Sequence, residues 1–242
     1  MRTELFLIPG SVSEERLAGK TLVMIDVLRA STTICQSLRA GARAVIPVER
    51  PGEAAELRSK LGVEDTILGG ERKGIKIDNF DLGNSPLEYT EERVKGKVVI
   101  LTTSNGTQGY ARANASKLII TAGLVNISRV ARKVAEAGQD VAIICAGEEG
   151  DFSIEDTLCG GMLIERLLIG ENLDMELNDA ASLALLLYRS NKDRLKQTIA
   201  HGEHGRYLKQ IGFDDDVRLA TEADSIAVLP VLKDRRIVLD ES

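Results

Sequence analysis

Three stretches of this chain share one layout: an apolar run of strand composition breaks into small or polar residues, and a helical pattern follows. They are Val23-Met24-Ile25-Asp26, Val98-Val99-Ile100-Leu101-Thr102 and Val141-Ala142-Ile143-Ile144-Cys145. Runs this short and this apolar, alternating with longer helical segments, fit strands buried on both faces of a helix-covered sheet. The pattern predicts an α/β fold in three layers, α/β/α, with a mainly parallel or mixed sheet. Ligands of such sheets bind beyond the carboxyl ends of strands, so the loops after these runs are where chemistry is expected.

Helices are predicted over residues 32–40, 53–61, 125–137 and 153–168, with a largely helical tract over 178–212. Further strands are predicted at 44–48, 117–121, 225–230 and 236–239. Ser85-Pro86-Leu87-Glu88 and Ser153-Ile154-Glu155-Asp156 both have the spacing of a helix start, the first as a full capping box. Residues 69–84 hold four glycines and many charges with little periodicity, which predicts a long functional loop. No linker or low-complexity tract divides the chain. The expected organisation is one unit over 1–242, open to a reading as two similar halves dividing between residues 90 and 125.

Composition narrows the function. The 31 basic residues are outnumbered by 37 acidic ones, for a net charge of −6, which argues against nucleic acid and anionic membranes as partners. Aromatics are 3% with no Trp, too few for a base-stacking platform. Cys35, Cys145 and Cys159 are odd in number and lack C-x-x-C spacing, as expected of reduced thiols in the cytoplasm. The amino-terminal apolar stretch is too short for a signal region and no run reaches the roughly 18 residues of a membrane span.

Asp26-Val27-Leu28-Arg29-Ala30-Ser31-Thr32-Thr33 puts a carboxylate and a guanidinium at a strand end, then three hydroxyls at a helix start. An anion would meet charge and helix N–H groups there, and Asp26 could hold a hard cation. Alternatively Ser31 or Thr32 is only a cap and Arg29 pairs with Asp26. Gly70-Glu71-Arg72-Lys73-Gly74 places acid beside base among glycines. Asp81-Leu82-Gly83-Asn84-Ser85-Pro86 leads into the capped turn, and Thr102 to Thr107, with Thr103, Ser104, Asn105 and Gly106, reads as a phosphate nest or as an Asn-Gly turn. Glu155 and Asp156 occupy a first helical turn, where acids serve a metal or simply the helix dipole. Neither nucleotide-loop spacing is present, no Arg lies six residues after any Cys, and His201 and His204 match no zinc pattern.

Taken in order, Ile25-Asp26-Val27-Leu28-Arg29-Ala30-Ser31-Thr32-Thr33, Gly70-Glu71-Arg72, Phe80-Asp81-Leu82-Gly83-Asn84-Ser85-Pro86, Thr102-Thr103-Ser104-Asn105-Gly106-Thr107 and Glu155-Asp156 resemble the 2-phosphosulfolactate phosphatase family. Similarity continues weakly through His204-Gly205-Arg206. The resemblance implies a Mg²⁺-dependent phosphomonoesterase converting 2-phospho-3-sulfolactate to 3-sulfolactate and phosphate, a step toward coenzyme M in methanogens. It also implies a small anionic substrate, and a homodimer is left open. The expected roles are Asp26, Glu71, Glu155 and Asp156 as metal ligands, with Asp26, Arg29, Glu71, Arg72 and Asp156 catalytic. Ser31, Thr32, Asn84, Ser85 and residues 103–107 would bind substrate. Rival readings are an isochorismatase-like cysteine hydrolase, whose opening strand Leu22-Val23-Met24-Ile25-Asp26 resembles, and a non-catalytic anion-binding module.

Overall fold

The computed structural model describes residues 1–106, 110 and 116–240, and among them eleven strands form one mixed sheet. They are β1 (Arg2–Phe6), β2 (Thr21–Ile25), β3 (Ala44–Pro47), β4 (Thr66–Arg72), β5 (Ile75–Lys76), β6 (Val98–Thr102), β7 (Leu118–Ala122), β8 (Val141–Cys145), β9 (Glu176–Leu177), β10 (Pro230–Lys233) and β11 (Arg236–Leu239). Helices of seven residues or more are α1 (Ala30–Arg39), α2 (Pro51–Leu61), α3 (Ile127–Ala137), α4 (Ile154–Glu165), α5 (Asp179–Asn191), α6 (Leu195–His201), α7 (Glu203–Gln210) and α8 (Asp214–Ala220). Thr107, expected in a phosphate-binding loop, lies outside the described residues.

The strand order is β5-β4-β6-β3-β11-β10-β7-β2-β8-β1-β9. One parallel group is β4-β6-β3 and the other is β7-β2-β8-β1-β9. The hairpin β10–β11 joins them through three successive antiparallel pairings, so the two groups run in opposite senses.

Both faces of the central strands are buried, as the unbroken apolar runs require. Val23 and Ile25 of β2, with Val141, Ile143 and Cys145 of β8, pack under α3, α4 and α5. Their neighbours Leu22, Met24, Ala142 and Ile144 face α1 on the other side. This period of two gives the three layers. Among the described residues no helix is long and apolar enough to cross a membrane.

The amino-terminal run Arg2–Phe6, for which no element was predicted, is a strand beside β8. Three local expectations are corrected. The glycine-rich stretch begins as strand β4 rather than a loop, because glycine is what lets this strand lie flush. A Cβ on Gly69 would overlap the Tyr89 hydroxyl, and one on Gly70, at φ +153°, would overlap the Thr102 carbonyl. Ser85-Pro86-Leu87-Glu88 makes only one short 3-10 turn and no capping box: Ser85 Oγ donates to Asp216 (2.6 Å), and Glu88 accepts from the Gly83 N–H (2.9 Å). The penultimate strand is Pro230–Lys233, not 225–230. Ser153 does cap α4, accepting the Asp156 N–H at 3.3 Å.

Candidate active site

Asp26 is the first residue past β2, and its backbone turns directly into α1. Its Oδ1 accepts from the Ala30 N–H (3.0 Å), its carbonyl from the Ser31 N–H (2.8 Å), and its own N–H donates to Ser31 Oγ (3.0 Å). Thr32 Oγ1 donates to the Val27 carbonyl at 2.8 Å. The helix start thus spends these N–H groups on Asp26. Ser31 and Thr32 are not among the residues that line the pocket, and their hydrogen bonds hold the turn at Asp26 and Val27. Gly106 packs so tightly on Asp26 that a Cβ there would overlap Oδ2.

Glu71 and Arg72 are adjacent on β4, so their side chains leave opposite faces. Glu71 lines the pocket. Its Oε1 accepts from the Ser104 N–H (2.8 Å), and its Oε2 accepts from the Gly74 N–H (2.7 Å) and Ser104 Oγ (3.2 Å). Arg72 turns away, donating to the carbonyls of Glu71 and Glu49 and to Thr102 Oγ1 (2.7, 2.9 and 3.0 Å). In this structure it braces backbone carbonyls, and it is not among the residues that line the pocket. The loop after β6 contributes Thr103, Ser104 and Asn105 to the pocket. Two of its N–H groups are taken within the protein, that of Ser104 by Glu71 and that of Gly106 by Thr103 Oγ1 (3.1 Å).

Asp156 lies behind the pocket wall. Its two oxygens accept the N–H groups of Val27 (2.8 Å) and Gly147 (3.1 Å), tying the loops after β2 and β8 together. Burial and the charges of Asp26 and Glu155 push its pKa well above the carboxylate range, against the bonds from Val27 and Ser153. Glu155, also buried, faces His204: Oε1 lies 3.3 Å from Nδ1, and Glu148 Oε2 is 3.3 Å from the same nitrogen. Asn105 Nδ2 donates to Glu148 Oε2 at 2.9 Å. His204 and Glu148 both line the pocket. Sequence reading set His204 aside for want of a zinc motif; the faint likeness around His204-Gly205-Arg206 was the one signal that could have found it.

Arg29 forms an ion pair with Asp216, not with Asp26. Nη1 meets Asp216 Oδ2 at 2.8 Å, Nη2 donates to the Gly74 carbonyl at 2.8 Å, and the guanidinium lies 4.2 Å from the centre of the Phe213 ring. Ser85 donates to the other Asp216 oxygen. Asn84 lines the pocket. Its Oδ1 is buried and has no hydrogen-bond partner among the described residues, an unusual state for a buried amide and one that a ligand would relieve.

Asp26, Glu71, Glu148 and Glu149 therefore share one pocket with Arg29, Lys73, Asn84 and His204. Crowded acids in poor solvent resist ionisation. Burial, with smaller repulsions from Glu148 and Glu71, pushes Asp26 up to about 7 against the pull of the Ala30 N–H and His204. Burial likewise raises Glu148. Burial opposes the charge on His204, but the Glu155 hydrogen bond and the charges of Glu148, Glu155 and Asp26 outweigh it and hold its pKa above 6.5. A hard divalent cation would reverse the strain on the carboxylates. Among the described residues no three Asp, Glu, His or Cys side chains converge as a ready-made metal shell. Asp26 and Glu71 stand on the pocket wall, whereas Glu155 faces His204 and Asp156 is bonded to the N–H groups of Val27 and Gly147.

Cys35, Cys145 and Cys159 are fully buried, and burial drives each thiol above its ordinary range. A cysteine nucleophile finds no support in these positions.

A family model for 2-phosphosulpholactate phosphatase matches residues 6–235. A protein of Symbiobacterium thermophilum named "Probable 2-phosphosulfolactate phosphatase" is 40% identical over 227 residues, covering 94% of this chain and 97% of the relative. Proteins of the same name from Caldanaerobacter subterraneus subsp. tengcongensis and Clostridium acetobutylicum are 38% and 37% identical, covering 93% and 95% of this chain and 92% and 97% of the relatives.

Proposed function

The chain belongs to the 2-phosphosulpholactate phosphatase family, and on that premise we propose that its pocket hydrolyses a small anionic phosphomonoester, 2-phospho-3-sulfolactate or a close analogue, with Mg²⁺. The observation that carries this reading is the meeting of Asp26, Glu71, Glu148 and His204 in one pocket, although they come from four separate parts of the chain. An acidic pocket repels a phosphate by itself. That conflict supports a divalent cation between the carboxylates and the ester.

Asp26 and Glu71 would hold the cation, which supplies charge neutralisation at the phosphoryl oxygens. The remaining work falls to the protein. Water attacks phosphorus while the bond to the ester oxygen breaks. Glu148, kept basic by its raised pKa, receives the proton from water, and His204 gives its proton to the departing alkoxide. Glu155 fixes the imidazole through Nδ1, leaving Nε2 as the donor. Asn84 offers its amide to the substrate.

The test is phosphate release from a panel of phosphomonoesters, with Mg²⁺ and with EDTA. Mg²⁺-dependent release, fastest with esters carrying further negative charge, is expected; release unaffected by exhaustive EDTA removes the metal from the reading. Binding of esters without any release would leave only an anion-binding module.

A further inference from the structure

Two of the basic side chains that could meet a substrate anion are already engaged: Arg29 is buried against Asp216 and the Gly74 carbonyl, and Arg72 braces backbone carbonyls away from the pocket. His204 is flanked by two glutamates. Lys73 differs from all three. It stands at the tip of the β4–β5 hairpin with φ +49°, is exposed, and lines the pocket. Its backbone is held on both sides, the N–H donating to Ser104 Oγ (3.4 Å) and the carbonyl accepting from the Tyr207 hydroxyl (2.9 Å). The next residue, Gly74, is fixed by Glu71 and Arg29. The stem of Lys73 thus starts from a set point at the pocket, and among the described residues its ammonium forms no ion pair.

The wall beside it carries Asp26, Glu71, Glu148 and Glu149. A metal can reconcile these with the phosphate being cleaved, but a second anion on the same substrate would still meet net repulsion unless a cation stands at the rim. We infer that Lys73 binds the second, non-reacting anion of the substrate and so sets a preference for phosphomonoesters that also carry a carboxylate or a sulfonate. This rests on the phosphatase reading and adds a specificity determinant to it.

The experiment compares wild type, Lys73→Met and Lys73→Arg on three esters: phenyl phosphate, 2-phospholactate, and the phosphate ester of 2-hydroxyethanesulfonate. For an exposed charge the expected result is a KM that rises about fivefold more for the two esters bearing a second anionic group than for phenyl phosphate in Lys73→Met, with kcat moving less than KM. Lys73→Arg should recover most of the difference. The ester with the larger shift identifies carboxylate or sulfonate as the bound group. Equal changes across all three esters, or none, overturn the subsite while the phosphatase reading stands. Failure of the wild type on every ester removes both.

Discussion

Arg29 and Asp216 are 187 positions apart and meet at 2.8 Å with their side chains almost wholly buried. The pair joins the turn after β2 to helix α8, and through Gly74 it also joins the β4–β5 hairpin.

Arg29→Lys therefore tests a fixed frame. An ammonium cannot serve Asp216 and the Gly74 carbonyl with the same planar fork, and loosening a buried pair is costly because the partner charge stays buried. The expected outcome is a loss of about 2–3 kcal/mol in stability with a parallel fall in kcat/KM, measured by denaturant titration and steady-state kinetics on one preparation. Undiminished stability with a collapse in kcat/KM would instead make Arg29 a substrate clamp.

His204→Gln should lower kcat by roughly 10²-fold for alkyl phosphates and much less for p-nitrophenyl phosphate, whose leaving group needs no proton. Because the pKa of His204 is raised above 6.5, the acid form persists beyond the ordinary range and activity falls as pH rises through the elevated value. Glu155→Gln should move that basic limb downward. A limb that stays in place would remove His204 from the proton path.

Asp26→Asn should abolish turnover and yet stabilise the metal-free fold at alkaline pH. The folded pKa of Asp26, about 7, lies above its ordinary 3.8, so its contribution to stability is complete below the ordinary value and is lost as pH climbs through the folded one. Melting curves in EDTA should diverge between about pH 4 and 7, with the variant above wild type at pH 8. Coincident curves would show that Asp26 is not held in a strained, charged state.

Thiol alkylation under native conditions should label none of Cys35, Cys145 and Cys159 and leave turnover intact. Mass spectrometry of intact protein after iodoacetamide reads this directly, and modification that tracks inactivation would reopen a thiol mechanism.

Elements set by local pattern were legible in the sequence. The apolar runs of β2, β6 and β8 gave strands whose following loops line the pocket, and Ser153 capped α4 as its spacing demanded. Asp26 and Glu71 were legible as pocket residues because a strand end and a glycine-flanked acid are local signals. That Arg72 leaves the opposite face of β4 from Glu71 was not legible, since the chemistry of a tripeptide does not say which face of a strand each residue takes. β4 hid behind Gly69 and Gly70, whose reason lies in Tyr89 and Thr102. The bonds of Ser85 and Arg29 to Asp216 could not be read locally because that partner sits far along the chain, and His204 reaches the pocket only through the packing of α7.

The hairpin Pro230–Lys233 and Arg236–Leu239 supplies the two middle strands between β3 and β7. During synthesis from the amino end, each parallel group shows the other an unpaired backbone edge until these ten residues leave the ribosome. Nascent chains that stall or terminate before residue 230 carry two open, apolar edges at once. Such truncated products are marked for aggregation or proteolysis, and the sheet closes only when the last of its strands arrives.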